Sequence, residues 1–310
     1  MPAMARIFVT RKLPFPALER LRAAHDVREW PGDLPPGPDD LRAHAREADA
    51  LLTLVTDPVG ADVLVAAPGL KAIANMAVGT DNIDVEAAAA RGIAVGNTPD
   101  VLTDATADLA FALLLALARR IVPGAAKVRD GEWRTWEPAG DLGADLAGAT
   151  LGIVGWGRIG QAVARRGAGF GLEVVHTARS SGVPLDELLG RADFVSLHTP
   201  LTPETRHLIG TDALARMKPT ALLVNTSRGG VVDQDALRAA LHAGEIAGAA
   251  LDVTEPEPLP ADHPLLDAPN LLVVPHVGSA TVRTRARMAE MAVENLLAAL
   301  DGRPMPHPVA

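Results

Sequence analysis

Short apolar runs alternate along this chain with stretches whose apolar positions return every three or four residues. Residues 7–10, 27–30, 51–55 and 72–76 read as buried strands. Between them Leu18, Leu21 and Arg22 fall on a helical repeat after Pro14 and Pro16. Residues 31–38 form a Pro/Gly loop, with Asp39 or Asp40 placed to cap the next helix. Residues 82–91 read as a helix stopped by Gly92. A longer helix is expected over 101–120, with Asp104 and Asp108 near its start and Arg119 and Arg120 at its end, as the helix dipole favours. Residues 133–148, with Trp133 and Trp136, read as loop. A second series of strands is expected at 151–154, 172–177, 194–197, 222–225, 249–253 and 271–274, and a last helix at 281–300. Strand and helix in alternation predict an α/β fold with parallel sheets covered by helices. No solenoid repeat or low-complexity tract is visible.

Composition narrows the class. A chain of 310 residues is long for one core, so two domains are expected. An apolar share of 48% excludes disorder. The formal net charge of -9 argues against nucleic acid as a partner, while a local arginine can still hold a small anion. Cysteine is absent, which removes disulfides, thiolate metal sites and a Cys nucleophile. The N-terminus lacks the apolar core of a signal peptide and reads as a first strand. The longest apolar run, 109–118, is about half the ~20 residues of a membrane span and reads as a buried helix. A cytoplasmic protein without membrane contact is the expectation. No zinc, calcium or P-loop pattern stands out, so no metal is expected.

Gly155-Trp156-Gly157-Arg158-Ile159-Gly160 lies between a strand and a helix, the setting that makes a GxGxxG run informative. Gly155 permits the sharp turn, Gly157 lets a pyrophosphate approach the backbone, and Gly160 lets helix and sheet pack closely. The helix start at Arg158-Ile159-Gly160 offers its backbone N–H groups and partial positive charge to the phosphates. Without a ligand, the same run is only a Gly-rich turn. The choice between NAD(H) and NADP(H) turns on the end of the second strand. Glu173 opens that strand, roughly 10 Å from its carboxyl end at ~3.3 Å per residue. The end itself reads His176-Thr177-Ala178-Arg179-Ser180-Ser181 and carries no carboxylate. Arg179, helped by Thr177, Ser180 or Ser181, can clamp a 2′-phosphate. NADP(H) is therefore the expected cofactor and NAD(H) the alternative; Arg179 as a solvated loop charge is the plainer reading.

Three polar residues follow later strands of the second series: Arg228 after 222–225, Glu257 after 249–253, and His276 after 271–274. In a parallel sheet these strand ends open on the ligand side. A guanidinium fits a carboxylate, an imidazole can donate a proton near neutral pH, and a carboxylate can orient that ring. This set suits reduction of a 2-oxo acid, with hydride supplied by a nicotinamide. Taken singly, His276 is one histidine among nine, Arg228 can serve a helix terminus, and Glu257 is a loop acid beside Glu255.

Six segments in order carry a resemblance over nearly the whole chain: Val78-Gly79-Thr80-Asp81-Asn82-Ile83-Asp84, the glycine fingerprint, Leu197-His198-Thr199-Pro200-Leu201-Thr202, Asn225-Thr226-Ser227-Arg228-Gly229-Gly230, residues 251–259, and Pro275-His276-Val277-Gly278-Ser279-Ala280-Thr281. The chain resembles the D-isomer-specific 2-hydroxyacid dehydrogenases. Thr98-Pro99-Asp100-Val101-Leu102-Thr103-Asp104, the Trp133/Trp136 pair, the Thr-Ala-Arg segment and Gly302-Arg303-Pro304-Met305-Pro306 bring it nearest their glyoxylate/hydroxypyruvate reductases. The resemblance implies a Rossmann-type dinucleotide-binding domain (101–282) inserted into a flavodoxin-like substrate domain (1–100 and 283–310). It implies that Arg228 binds the substrate carboxylate, His276 is the acid/base and Glu257 its partner. Backbone at Val78 and Gly79 would share the carboxylate, and Ser279 would lie beside the substrate. Pro200, Thr226, Asp252 and Gly278 would line the cofactor, Asp252 near the nicotinamide amide. A homodimer is implied, with Trp136 reaching the neighbouring site. Gly230 departs from the family, where an acidic or neutral polar residue is common; no catalytic consequence is expected.

The activity implied is NADPH-dependent reduction of glyoxylate to glycolate and hydroxypyruvate to D-glycerate. A broad 2-ketoacid reductase and a phosphoglycerate dehydrogenase-like enzyme are alternatives within the family. The second is disfavoured by the lack of basic residues at 75–81 and by the short stretch after the last helix, which leaves no regulatory domain. Outside enzymes, a nucleotide-sensing binding protein like the family's corepressors would keep the fingerprint without turnover. The complete Arg228/Glu257/His276 set disfavours it.

Overall fold

The computed structural model describes residues 4–13 and 16–309. Residues 1–3, at the start of the expected first strand, and Pro14, an expected helix start, lie outside the described residues. The chain divides into two compact units, Met1–Leu102 with Ala280–Ala310, and Thr103–Ser279.

The first unit runs β1 (Arg6–Val9), α1 (Ala17–Arg22), β2 (Asp26–Glu29), α2 (Pro38–Glu47), β3 (Ala50–Thr53), α3 (Ala61–Ala66), β4 (Ala72–Asn75), α4 (Val85–Ala90) and β5 (Ala94–Gly96). All five strands are parallel, in the order β2-β1-β3-β4-β5, which is the flavodoxin-like arrangement. Every residue of β3 and β4 is buried, so both read in sequence as unbroken apolar runs. The N-cap of α2 is Gly37 with Pro38 in the first turn. Asp39 and Asp40 therefore sit inside that turn and do not cap it. Proline there presets the helical φ and gives up an N–H that has no partner anyway. The helix expected over 82–91 begins only at Val85. Asp84 caps it, accepting the Ala87 N–H at 2.9 Å.

The second unit runs α5 (Thr103–Ala118), α6 (Ile121–Arg129), β6 (Thr150–Val154), α7 (Arg158–Gly169), β7 (Glu173–Ala178), β8 (Ser181–Gly182), α8 (Leu185–Arg191), β9 (Phe194–Leu197), α9 (Thr211–Arg216), β10 (Leu222–Asn225), α10 (Gln234–Ala243), β11 (Gly248–Leu251) and β12 (Leu271–Val273). Its sheet order is β12-β11-β10-β9-β6-β7-β8, parallel except for β8, which turns back on β7. The strand order reverses between β6 and β9, as in a Rossmann-type sheet, and that reversal opens the crevice where such sheets bind ligands. The single helix expected over 101–120 is two. Arg120 takes a left-handed φ of 51°, and α6 starts beyond it, bent 61° from α5. Arg119 and Arg120 thus lie past the end of α5, not in its last turn. The apolar run of α5 is buried through Ala107, Ala110, Phe111, Leu113 and Leu114, in a core shared with Leu151, Ile153 and Val163. Among the described residues, no single helix is long and apolar enough to cross a membrane; α5 and α6 together meet that length and composition only as a bent pair.

From the second unit the chain returns through α11 (Val282–Leu300), capped by Thr281, to the first. Met288, Ala292, Val293 and Leu296 of α11 join Leu18, Leu52 and Ala74 in that unit's core. The last residues then cover the free edge of β5. The Asn97 N–H donates to the His307 carbonyl at 3.1 Å and the Val309 N–H to that of Val95 at 2.7 Å.

Candidate active site

The glycine fingerprint forms the turn from β6 into α7. Gly155 has φ +100° and abuts the His198 carbonyl that follows β9; a Cβ there would lie 2.6 Å from it. The turn thus sits at the strand-order reversal. Gly160 presses on the Gly155 carbonyl, 2.1 Å from where its own Cβ would be, which brings α7 against the turn. A Cβ on Gly157 would meet nothing within 4 Å. Gly157 is the N-cap of α7 and, having no side chain, caps none of the first-turn N–H groups itself. The Thr199 and Thr226 hydroxyls and His198 Nδ1 are buried with no hydrogen-bond partner among the described residues. Buried polar atoms are ordinarily satisfied. An open cradle, a helix start whose cap is a glycine, and buried unsatisfied polar atoms beside them fit a dinucleotide.

Arg179 and Ser180 are exposed and form the two-residue turn between β7 and β8. The strand at Ser181–Gly182 escaped the sequence reading because two small polar residues carry no alternation. Pro200 lies just beyond β9, its carbonyl accepting the Thr205 hydroxyl at 2.6 Å.

His276 and Glu257 are in direct contact: the carboxylate meets the ring at Nδ1. Both side chains are about 30% exposed. Adjacent Glu255 pairs instead with Arg206, at 2.8 and 3.0 Å. The backbone carrying His276 is held by Asp252. The His276 N–H donates to the Asp252 carbonyl at 2.9 Å, and the Val277 and Gly278 N–H groups donate to its two carboxylate oxygens at 2.6 and 2.9 Å. Three N–H groups in a row thus hold the left-handed φ of 51° at His276. Asp252 is 2% exposed, and burial holds its carboxyl above the usual carboxylate range, against the N–H of Val277 and the charge of His276. Gly278 is small for a reason: a Cβ would lie 3.1 Å from Asp252 Oδ2. Ser279 follows in the same turn.

Arg228 follows β10 in extended backbone and donates from Nη1 to the Ser227 carbonyl at 2.9 Å. Asn225 holds its loop by donating to the Arg228 carbonyl at 2.9 Å and accepting from Ser227. Arg228, Glu257 and His276 therefore follow three adjacent parallel strands, β10, β11 and β12, on the carboxyl edge of one sheet.

Val78 and Gly79 belong to the first unit, in the loop after β4. Two asparagines turn their carbonyls inward: Asn97 donates to Val78 at 2.7 Å and Asn75 to Gly79 at 2.9 Å. Asn75 also takes the Thr53 hydroxyl at 3.0 Å and donates to Asn82 at 2.9 Å. The N–H groups of Val78 and Gly79 make no hydrogen bond among the described residues. Sequence reasoning found the loop and missed Asn75 and Asn97. Only their place at strand ends hints at them. It missed His198 as well. That ring is fully enclosed, bonds Ser196 at 2.8 Å through Nε2, and is pushed by burial down to about 3. No group of three or more His, Cys, Asp or Glu among the described residues could hold a metal.

A Rossmann-type sheet with this turn and these strand-end residues defines a dinucleotide-binding α/β protein. The model of the D-isomer specific 2-hydroxyacid dehydrogenase NAD binding domain matches residues 111–278. The chain belongs to that family, and its cofactor is a nicotinamide dinucleotide. The glyoxylate reductase of Korarchaeum cryptofilum is 51% identical over 97% of this chain and 95% of its own. That of Aeropyrum pernix is 50% identical over 97% and 95%. Among solved structures, a Thermus thermophilus protein superposes with a TM-score of 0.94 at 53% identity, covering 98% of this chain and all of that one. An NADPH-dependent glyoxylate/hydroxypyruvate reductase from Sinorhizobium meliloti, in complex with NADP and malonate, does so at 0.86 and 34% identity, covering 99% and 97%.

Proposed function

We propose that this protein reduces glyoxylate to glycolate and hydroxypyruvate to D-glycerate with NADPH. The observation that carries the reading is the His276–Glu257 contact on the same sheet edge as Arg228. The glyoxylate reductases among its relatives support the substrate class. The fingerprint turn, Thr226 and the loop after β9, including Pro200, hold the cofactor, which supplies the hydride. Arg228 binds the substrate carboxylate with its two-pronged fork. Nδ1 of His276 is committed to Glu257, so Nε2 delivers the proton to the carbonyl oxygen as the carbon takes the hydride. Glu257 fixes the ring and stabilises its protonated form. Asp252 spends both oxygens on Val277 and Gly278 and so acts as the support of the His276 loop. Exposed Arg179 and Ser180, at the end of β7, are the reason for preferring NADPH, with Glu204 near enough to feel the Arg179 charge.

A homodimer is part of the proposal. Ile121, Val122, Val128, Trp133, Trp136 and Leu142 are all exposed, on α6 and the following loop. That loop is tied down by Lys127–Asp141 at 2.8 Å and by the Ala144 N–H on the Ala118 carbonyl at 2.8 Å. A fixed apolar surface of this kind marks an association face.

Steady-state oxidation of NADPH and NADH is the test, with glyoxylate, hydroxypyruvate, pyruvate and 3-phosphohydroxypyruvate as acceptors. Wild type turns over the first two fastest with NADPH. His276→Asn loses about 10²–10⁴-fold in kcat and still binds NADPH. Arg179→Ala raises KM for NADPH and leaves that for NADH unchanged. Equal use of both cofactors by wild type and Arg179→Ala removes the NADPH assignment. Silence of wild type on all four acids removes the substrate class.

A further inference from the structure

Glu257 has to be delivered to His276 by a short, exposed stretch of chain. Residues 255–258 follow β11 exposed and without regular structure, anchored at their start by the Thr254 hydroxyl donating to the Pro256 carbonyl at 2.9 Å. What else holds this stretch is the segment after Arg228. Gln234, the first residue of α10, grips both main-chain groups of Glu255. Its Oε1 accepts the Glu255 N–H at 2.9 Å and its Nε2 donates to the Glu255 carbonyl. Arg206 takes the Glu255 carboxylate with both fork nitrogens, at 2.8 and 3.0 Å. Gly229 closes the gap beneath, since a Cβ there would lie 2.1 Å from the Thr254 carbonyl. Gly230 leaves room for the Arg206–Glu255 pair, since a Cβ there would lie 3.1 Å from Glu255 Oε2. Arg206 itself rides on backbone paired to this segment, with the His207 N–H on the Gly230 carbonyl at 2.8 Å.

We propose that Gln234 and Arg206 are positioning residues that latch the Glu255–Glu257 segment to the Arg228 segment, so that Glu257 meets His276. The proposal rests on the acid/base reading of that pair. Gln234 is the main member, because it holds backbone at both ends of one residue. Arg206 adds direction through its fork, as lysine cannot. The Glu255 carboxylate is the handle, and Glu257 two residues on is what the handle aims. Among the described residues, Glu257 contacts the His276 ring directly and Asp252 acts on it through charge. Asp252 is held separately by Val277 and Gly278, so loosening the latch changes only the Glu257 side.

The test combines pH–rate profiles for glyoxylate reduction with NMR titration of the imidazole signal that disappears in His276→Asn, in the protein without cofactor. A carboxylate against the ring favours its protonated form. Gln234→Leu therefore moves the alkaline limb and the NMR midpoint to lower pH, and lowers kcat at pH 8 about tenfold. NADPH affinity by fluorescence stays within about twofold, since a tenfold change is already 1.4 kcal/mol. Arg206→Ala moves the same midpoint the same way by less, and Arg206→Lys restores only part of it. An unmoved limb and midpoint in Gln234→Leu, whatever its activity, overturns the latch. Glu257→Gln reads the underlying pair separately. If it too leaves the midpoint in place, the acid/base reading falls and the latch with it; if it moves the midpoint while Gln234→Leu does not, only the latch falls.

Discussion

At the scale of single residues, burial decides more than identity. Nine histidines look alike in the sequence, yet His276 is partly open against a carboxylate while His198 is enclosed. The enclosed ring is neutral in the folded protein down to about 3 and titrates from 6.5 in the unfolded chain. Between those limits the unfolded state binds the extra proton, so stability falls as pH falls. From pH 6.5 to 5 this withdraws about 2 kcal/mol, at about 1.4 kcal/mol per unit. His198→Asn therefore shows a flatter loss of stability over that interval, measured as urea midpoints from pH 7.5 to 5. Equal slopes in the two proteins would assign the acid loss to other groups. The two glutamates of the 255–258 stretch teach the same lesson. Sequence put both in one loop and resemblance chose Glu257. Only the placement of Arg206 and Gln234 shows what each glutamate holds. Asn75 and Asn97 went unseen because an asparagine that fixes a carbonyl is indistinguishable in sequence from one in a turn.

At the scale of elements, unbroken apolar runs located the buried parallel strands to within a residue or two, since such strands are apolar on both faces. Elements defined by something else were lost. β5 has three residues after a glycine, β8 has two without apolar pattern, and the division between α5 and α6 depends on one left-handed residue, Arg120. The fingerprint was legible because each glycine has its own steric reason, and these reasons separate by experiment. Gly157→Ala puts its methyl into space free of protein atoms, so the melting temperature holds while NADPH binding weakens. Gly160→Ala drives a methyl into the backbone carbonyl of Gly155. Overpacking of that kind costs about 1–3 kcal/mol, so both melting temperature and binding fall. Thermal melts and fluorescence titrations on the two variants check the contrast; a Gly160→Ala protein as stable as wild type would contradict it.

At the scale of the whole molecule, the second unit interrupts the first in sequence, and the chain's two ends meet in one core through α11. The family resemblance implied an insertion of this kind; hydrophobic pattern alone could not, because it shows elements and not which sheet each one joins. The closing residues 307–309 lie along β5, whose outer edge would otherwise present unpaired N–H and carbonyl groups. An exposed parallel edge is a template for strands of other molecules. The tail therefore guards the protein against its own kind. Trimming residues 306–310 is expected to leave a chain that folds and then clumps on standing, which light scattering over days at high concentration would register. A purification tag fused behind residues 307–309 would accordingly pull on the strip that keeps the sheet to itself.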